Sequence, residues 1–506
     1  MKIILIQCPC WTVQSPPYSL ALLSAVLKEK NHSVHCLDIN IRTYWHCREN
    51  LFTKKNIINE NSWVNNYKHD IWCQQKNIQD FINENIVYFN ETVELILHLN
   101  IPVIGFSVTA ASLFYSIETA RAIKEKAPEK LILFGGPECF DNAHGTDLLM
   151  SYDFINYIFT GEAEKSLPLL LDNIQNGSSD IPMGIAYKDN YGDIINNDNF
   201  INNVNLNELP FADFTHFDLS LYTEKLLPIN TSRGCINMCS FCNESPFWKK
   251  YRMRNPENIV KEISFQKEKY QSINYFWFND SLINGDLINL EKLCNLLINK
   301  NIEIMWGGQA MIRKEMDNNL IKLMKQAGCF RISFGLESGS NKILSLMKKT
   351  HTVEIAKEVL KNIHNNNIEF AVNIIVGHPG ETSKDFTDTI DIVTFCKQFT
   401  TGIYPNICYV SKASDLHKRP ERYGIINEFS NKWHTVKPPN TLALRQLRLD
   451  SIKNIINNNY SHLPLLLCIK LYFKHIMFFI INIIHSLLSW LIQRPIYFYK
   501  YVNKIN

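Results

Sequence analysis

The first part of the chain alternates short apolar runs with stretches whose apolar residues recur at helical spacing. Over residues 1–175 this alternation predicts a parallel sheet covered by helices on both faces. The predicted strands are Ile3–Gln7, Val34–Asp38, Val103–Ser107, Leu131–Gly135 and Asn156–Phe159, and the clearest helices are Ser19–Lys30 and Ala111–Ala127. Five such strands fit a doubly wound, Rossmann-like α/β domain with a flavodoxin-like strand order.

In doubly wound sheets, ligands bind beyond the carboxyl ends of the strands. The residues that this sequence places there are small or polar, namely Ser107, Thr109, Gly135, Gly136, Gly161 and Glu162. Glycine at such a position lets the backbone approach a ligand closely. We therefore expect these loops to form the first candidate ligand-binding site.

A polar segment rich in Asn and Asp, 176–222, predicts a linker with a hairpin candidate around Asp189–Gly192. Residues 223–415 then alternate again. The predicted strands are Tyr275–Phe278, Glu303–Trp306, Phe330–Phe334, Glu369–Ile375 and Ile403–Val410. Asn255 and Pro256 predict a helix start, with a capping residue followed by proline at the first position. The pattern leaves open whether these strands form a barrel or an open sheet.

Length and composition indicate a folded protein with more than one domain. The 506 residues exceed what one core usually supports, and 46% hydrophobic with 20% charged residues is ordinary for a globular chain. A net charge of +3 lacks the broad positive field of a dedicated nucleic-acid binder, so we expect no nucleic-acid partner. The apolar start, Met1–Gln7, is too short for the core of a signal peptide. We expect a cytoplasmic protein with mostly reduced cysteines.

Three of the fourteen cysteines lie within eight residues, at Cys235, Cys239 and Cys242. A cubane 4Fe-4S cluster has four iron corners, so three protein thiolates leave one iron free to chelate an amine and a carboxylate of a small molecule. Reductive cleavage of S-adenosylmethionine (SAM) requires this arrangement. The alternative is a structural zinc site, which normally takes four ligands in paired Cys-x2-Cys units, and the nearby sequence offers no fourth thiol or histidine.

The cysteines stand among further motifs, and together these resemble the cobalamin-binding radical SAM protein family over roughly residues 1–415. The motifs are Tyr251–Pro256 with Glu262, Asn279–Ser281, Gly328–Phe330, Phe334–Gly339, Lys348–Thr350 and Val376–Thr382, with Pro16–Leu20, Gly135–Pro137 and Gly161–Glu164 in the first domain. The resemblance implies a Rossmann-like cobalamin-binding domain at 1–175, a linker, and a radical SAM partial (β/α)6 barrel of the TIM type at 223–415.

The resemblance also implies roles for individual residues. Phe241 resembles the aromatic residue beside the third thiolate that supports the SAM adenine, and Glu337 resembles a polar contact to the SAM ribose or amino group. A surface or interstrand salt bridge is the alternative for Glu337. The glycine loops of the first domain would hold cobalamin, unless this domain has kept its fold and lost the ligand.

The cobalt-ligating Asp-x-His-x-x-Gly pattern of other corrinoid proteins is missing. The first strand is followed by Cys8-Pro9-Cys10-Trp11, and the segment 141–145 follows the fourth strand with the wrong spacing. If cobalamin binds, we predict no histidine on its lower face, and we interpret His144 as a loop residue.

The C-terminal region, 416–506, contains a strongly apolar stretch at about 463–493 with one narrow polar stripe, which predicts an amphipathic helix. Such a helix suits a membrane surface at the inner face of the membrane, or packing against the barrel; a transmembrane span is a third alternative.

The whole pattern predicts a cobalamin-dependent radical SAM enzyme that methylates an unactivated carbon of a small molecule, natural product or lipid. The expected cofactors are a 4Fe-4S cluster, SAM and cobalamin, and the expected partner is a reductant such as flavodoxin or ferredoxin. The alternatives are cobalamin-assisted cyclisation, rearrangement or oxidation without methyl transfer, and a non-enzymatic corrinoid or iron-sulfur sensor.

Overall fold

Two large sheets, a mostly parallel one and a parallel one, organise the chain, and helices cover each of them. The computed structural model describes residues 1–50, 58–64, 69–140, 144–197, 204–426 and 432–457. The predicted C-terminal helix at about 463–493 lies outside these residues. Among the described helices, none has the length and apolar character needed to cross a membrane.

The first sheet is built almost entirely from short apolar runs. Its strands and helices are β1 (Lys2–Gln7), α1 (Tyr18–Glu29), β2 (Ser33–Asp38), α2 (Ile39–Asn50), α3 (Glu60–Val64), α4 (His69–Trp72), α5 (Gln75–Glu84), α6 (Ile86–His98), β3 (Val103–Ser107), α7 (Leu113–Lys126), β4 (Leu131–Gly135), α8 (Asp147–Ser151), β5 (Tyr157–Phe159), α9 (Ala163–Gln175), β6 (Ile185–Lys188) and β7 (Ile194–Asn196). Within the described residues the strand order is β2-β1-β3-β4-β5-β6-β7. The first five strands are parallel, which confirms the flavodoxin-like order.

The segment 176–222 is more than the linker we predicted, because β6 and β7 extend the first sheet as an antiparallel hairpin. Ile185 and Ala186 are fully buried, so this hairpin adds to the core of the sheet. The Asp189 side chain accepts hydrogen bonds from the backbone N–H groups of Tyr191 and Asp193, and Gly192 has a φ of +87°. The hairpin candidate lies at this turn.

The second sheet has six parallel strands in the described residues, in the order β15-β14-β13-β12-β11-β8. This agrees with the partial (β/α)6 barrel. The elements of this second unit, in which β9 and β10 form a separate two-stranded pair, are β8 (Leu226–Ile229), β9 (Ser232–Arg233), α10 (Glu244–Trp248), β10 (Arg252–Met253), α11 (Pro256–Lys269), β11 (Tyr275–Phe278), α12 (Leu287–Asn299), β12 (Met305–Ala310), α13 (Asn318–Gln326), β13 (Cys329–Glu337), α14 (Asn341–Leu346), α15 (Val353–Asn365), β14 (Glu369–Val376), α16 (Ser383–Cys396), β15 (Gly402–Ile407), α17 (Asp415–Lys418) and α18 (Leu442–Asn457).

Burial alternates along β11, where Phe276 and Phe278 are fully buried and the residue between them is partly exposed, and along 332–336 of β13, where Phe334 is fully buried. Side chains alternate between the two faces of a strand, so one face of these strands is more enclosed than the other. The strand β12 differs from the prediction of Glu303–Trp306, since it starts at Met305 and continues through two glycines. A Cβ on Gly307 would lie 2.7 Å from the Trp277 ring, so glycine belongs inside this strand.

The helix α11 begins at Pro256 with Asn255 at the N-cap position, as predicted. The backbone carbonyl of Asn255 accepts from Asn258 N at 2.9 Å, but the Asn255 side chain makes no capping hydrogen bond.

We call the first sheet with its helices the first unit and the second sheet with its helices the second unit. Residues 204–223 connect the two units and contact both of them. On the first unit, Tyr222 donates to Asp38 at 2.8 Å and Asp213 pairs with Lys28 at 2.5 Å. On the second unit, Ala212 N donates to Glu262 at 3.1 Å, and Gln266 donates to the Ala212 carbonyl at 2.7 Å.

Candidate functional site

The three closely spaced cysteines lie on a loop that leaves the carboxyl end of β8. The loop is closed at its base by the antiparallel pair β9 and β10. Gly234, just before Cys235, has a φ of +87°, and a Cβ there would lie 2.5 Å from the Lys250 carbonyl oxygen. Only glycine lets the chain turn so tightly at the base of the loop. We call residues 234–251 the cysteine loop.

Nearby N–H groups point at each cysteine sulfur. Asn237 N lies 3.4 Å from Cys235 Sγ, Asn237 Nδ2 lies 3.3 Å from Cys239 Sγ, and Glu244 N lies 3.3 Å from Cys242 Sγ. All three cysteines are partly exposed. Hydrogen bonds to sulfur stabilise thiolate ligands and tune cluster potentials. The role of Asn237 was missed from the sequence, because its position between two cysteines carries no separate signal.

Burial raises the pKa of all three thiols, that of Cys242 to about 12. The positive charge of Lys349 acts in the opposite direction on Cys235 and Cys239. Because iron binds thiolates, a cation close to the loop favours the ligating state.

The sulfur atoms are not arranged around one ion. In the described part of the chain, no three His, Cys, Asp or Glu side chains converge on a single-ion position. Each cysteine of a 4Fe-4S cluster binds its own iron, so cluster ligands need not converge on one point. The arrangement thus differs from the closed tetrahedron of a structural zinc site.

Phe241 and Glu337 were proposed from the sequence on separate grounds. In the structure both contact the same side chain, that of Lys349. Lys349 Nζ lies 3.0 Å from Glu337 Oε1 and 5.6 Å from the centre of the Phe241 ring. It also donates to the Gly335 carbonyl at 3.2 Å. The Lys349 and Glu337 side chains are each only 9% exposed, so this ion pair is buried beside the cysteine loop. Burial lowers the pKa of Lys349, but the charge and hydrogen bond of Glu337, together with the charges of Cys239 and Cys242, outweigh burial and raise it overall.

The end of β13 is shaped to present this pair. Glu337 has a φ of +68°, which is uncommon for a residue with a side chain and is often found at functional sites. A Cβ on Gly335 would lie 2.6 Å from Glu337 Oε1 and 3.0 Å from Lys349 Nζ. The Gly335 position therefore leaves the space that the ion pair occupies.

A cleft of about 330 Å³ lies between the carboxyl ends of the first sheet and the cysteine loop. Its lining includes every first-domain residue proposed from the sequence, which are Ser107, Thr109, Gly135, Gly136, Gly161 and Glu162. The opposite wall includes Phe247 and Trp248 from α10 of the cysteine loop. His144 is outside the lining and lies 3.6 Å from Glu138.

The residues of this set contribute in different ways. Ser107 Oγ lies 3.3 Å from Ser19 Oγ, and Thr109 N donates to Ser112 Oγ at 2.9 Å. Gly136 has a φ of +107°, and a Cβ there would lie 2.6 Å from the Val108 carbonyl oxygen. The backbone that follows β3, and not a bound ligand, is therefore what requires glycine at position 136.

We expect Gly136→Ala to lower the free energy of unfolding by about 2–4 kcal/mol, because it combines backbone strain with a clash against Val108. Thermal unfolding of the purified protein measures the effect. Gly177→Ala is the matched control, since Gly177 has a φ of +69° with no atom within 4 Å of the added Cβ. Equal losses in the two variants would show that the clash adds nothing.

Glu162 lines the cleft, but its carboxylate is held by arginines of the second unit. Oε1 accepts from Arg233 and Arg252 at 2.6 Å each, and Oε2 accepts from Arg252 at 3.1 Å. Sequence reasoning placed Glu162 beside the corrinoid and missed both partners, because they lie 71 and 90 residues away along the chain.

Comparison with known proteins agrees with this geometry. Residues 229–393 match the model of the radical SAM superfamily. The anaerobic magnesium-protoporphyrin IX monomethyl ester cyclase of Rubrivivax gelatinosus is 25% identical over 317 residues, which are 58% of this chain and 54% of the cyclase. The chain thus spans about half of that relative's length.

Two solved structures share the architecture. The radical SAM methyltransferase TsrM from Kitasatospora setae, with cobalamin and a 4Fe-4S cluster bound, superposes with a TM-score of 0.60 at 17% identity, over 83% of this chain and 78% of TsrM. The cobalamin-dependent SAM radical enzyme OxsB, with aqua-cobalamin bound, gives 0.59 at 16% identity, over 87% of this chain and 57% of OxsB. Residues 229–393 therefore form a radical SAM domain, and the chain shares its fold with the cobalamin-binding radical SAM enzymes TsrM and OxsB.

Proposed function

We propose that this protein is a cobalamin-dependent radical SAM methyltransferase that acts on an unactivated carbon of a small molecule. The observation that carries the proposal is that one loop serves both sites. Cys235, Cys239 and Cys242 lie on it, and its helix α10 forms a wall of the cleft above the first sheet. A cluster on this loop and a corrinoid in this cleft would be neighbours.

The residues present fit the three expected cofactors. Three partly exposed sulfurs with N–H donors suit a 4Fe-4S cluster with one open iron. The buried Glu337–Lys349 pair offers one charge of each sign, which suits the amine and carboxylate of SAM. The cleft is walled mainly by aliphatic and aromatic side chains such as Leu5, Leu133 and Phe159, which suits a large flat ring.

When bound, the cluster and SAM supply a carbon radical, and cobalamin supplies the methyl group. The protein's own residues hold and orient these groups. The cysteines leave one iron open, Phe241 offers an apolar ring for the adenine, and Glu337 accepts hydrogen bonds from hydroxyl or ammonium groups. Phe247 and Trp248 line the cleft on the side of the cysteine loop, where their rings would limit the access of water to the space between the two sites.

The substrate would lie against the inner face of the second sheet, which carries uncharged polar side chains on neighbouring strands. Gln309 pairs in register with Ser333, and Asn373 pairs with both Gly335 and Tyr404. The side chains of Gln309, Ser333 and Asn373 make no hydrogen bond to any described residue, so they are open to a ligand. We therefore propose a neutral, hydrogen-bonding small molecule as the substrate, in place of a lipid.

Electrons must reach the cluster from outside, and the cysteine loop is accessible. Ile236 is 47% exposed and Met238 is 70% exposed. We propose that a small reductant such as flavodoxin or ferredoxin approaches this side of the loop.

The test is anaerobic reconstitution with iron, sulfide and hydroxocobalamin, followed by reduction and mass analysis of the SAM products. Methyl transfer predicts S-adenosylhomocysteine that forms only when cobalamin is present. Protein that binds both groups and yields 5′-deoxyadenosine alone would contradict methyl transfer. That result would favour a cyclisation, rearrangement or oxidation, a second candidate that the similarity to the Rubrivivax gelatinosus cyclase supports.

A further inference from the structure

A buried network of charges joins the first unit to both ends of the cysteine loop. Glu162 follows β5 of the first sheet, whereas Arg233 directly precedes the loop and Arg252 directly follows it. Both arginines bind Glu162 Oε1 at 2.6 Å, and Arg233 also binds Glu164 at 2.5 Å. One carboxylate of the first unit thus holds the two strands that close the loop.

The network is shielded from water, so its charges interact strongly. The exposed fractions are 1% for the Glu162 side chain, 8% for Arg233 and 18% for Arg252. Burial raises the pKa of the Glu162 carboxyl, but the hydrogen bonds and charges of Arg252 and Arg233 outweigh burial and lower it overall. A planar guanidinium that binds a carboxylate through two N–H groups also fixes orientation, as Arg252 does here.

The network reaches the cleft wall as well. The guanidinium carbons of Arg233 and Arg252 lie 5.6 and 5.7 Å from the centre of the Trp248 ring. Trp248 lines the cleft on the side opposite the first sheet. The arginines that bind Glu162 therefore also support the aromatic wall between the cleft and the cysteines.

We propose that Glu162 is a positioning residue that sets the separation between the corrinoid in the cleft and the cluster on the cysteine loop. This inference rests on the proposed function. Glu162 acts through Arg233 and Arg252, and its carboxylate has no free oxygen for the corrinoid. Loss of its charge would weaken the hold on both arginines and leave Glu164 as the remaining carboxylate partner of Arg233, which would loosen the loop while leaving both cofactor sites in place.

The test is Glu162→Gln in the full-length protein, loaded with hydroxocobalamin and a reconstituted cluster. Reduction to cob(II)alamin and the paramagnetic cluster allows electron paramagnetic resonance to report the spin–spin interaction between cobalt and cluster. For Glu162→Gln we expect the same iron and cobalamin contents as in the wild type. We expect its spin–spin interaction to be weaker and spread over a broader range of strengths. Arg252→Lys, which keeps the charge but loses the two-pronged contact, is expected to shift the interaction in the same direction, and it carries the test if Glu162→Gln does not fold.

The matched control is Glu381→Gln. Glu381 is fully buried and binds Arg448 at 2.5 Å, but both residues belong to the second unit. We expect comparable thermal destabilisation with the wild-type spin–spin interaction. A fully loaded Glu162→Gln protein with the wild-type interaction would overturn this inference alone. Wild-type protein that cannot hold both the cluster and cobalamin would overturn the proposed function, and the inference with it.

Discussion

Cys239→Ala is expected to abolish the cluster and with it all SAM cleavage above background. Cys239 is the central thiol of the cysteine loop and accepts a hydrogen bond from Asn237 Nδ2 at 3.3 Å. Without its thiolate a second iron corner loses its protein ligand, and the cubane is held at two points only. Iron and sulfide analysis, the absorption spectrum after anaerobic reconstitution, and 5′-deoxyadenosine formation measure the outcome.

Cys396→Ala is the matched control. Cys396 is fully buried in α16, and its removal takes away a small apolar side chain with no ligand role. Its cluster content and SAM cleavage are expected to equal those of the wild type. Unchanged SAM cleavage in Cys239→Ala would remove the basis for assigning the cysteine loop to a cluster.

Glu337→Gln is expected to weaken SAM binding by about 10- to 100-fold, because a hydrogen bond to a charged group contributes about 1.5–3 kcal/mol. The substitution keeps the shape of the side chain but removes the charge that Lys349 pairs with. Titration of the cluster-loaded protein with SAM, followed by the change in the paramagnetic signal of the reduced cluster, measures the affinity.

Two further variants separate SAM binding from stability. Lys349→Met combined with Glu337→Gln removes both buried charges, so it is expected to regain thermal stability over Glu337→Gln without regaining SAM affinity. Glu369→Gln breaks the ion pair with Arg331 near the other end of β13 and is expected to leave SAM affinity unchanged. Wild-type affinity in Glu337→Gln would show that this carboxylate does not contact SAM.

The parts of the fold that depend on local pattern could be predicted from the sequence. The strands of the first sheet are short apolar runs, and a parallel strand buried on both faces has this composition. The interior glycines of β12 could not be recognised in the same way. Gly307 resembles a strand terminator in the sequence, and only the Trp277 ring packed over it explains its place within the strand.

The candidate site shows the same division. The spacing of Cys235, Cys239 and Cys242 is a local signal for a cluster, and the structure places these cysteines together on one exposed loop. The sequence placed Lys349 in a motif but did not predict its role. That role depends on a contact with Glu337, twelve residues away. The partners of Glu162 depend on the packing of one unit against the other, which no local pattern encodes.

The connection at 204–223 bears on how cofactors enter. Domains of one chain usually move relative to each other about a linker that makes few contacts. This connection is instead bonded to Asp38 and Lys28 on one side and to Glu262 and Gln266 on the other. A connection held on both sides is a poor hinge, so we expect a large ring to enter the cleft through local rearrangement at its rim while the two sheets keep their mutual orientation.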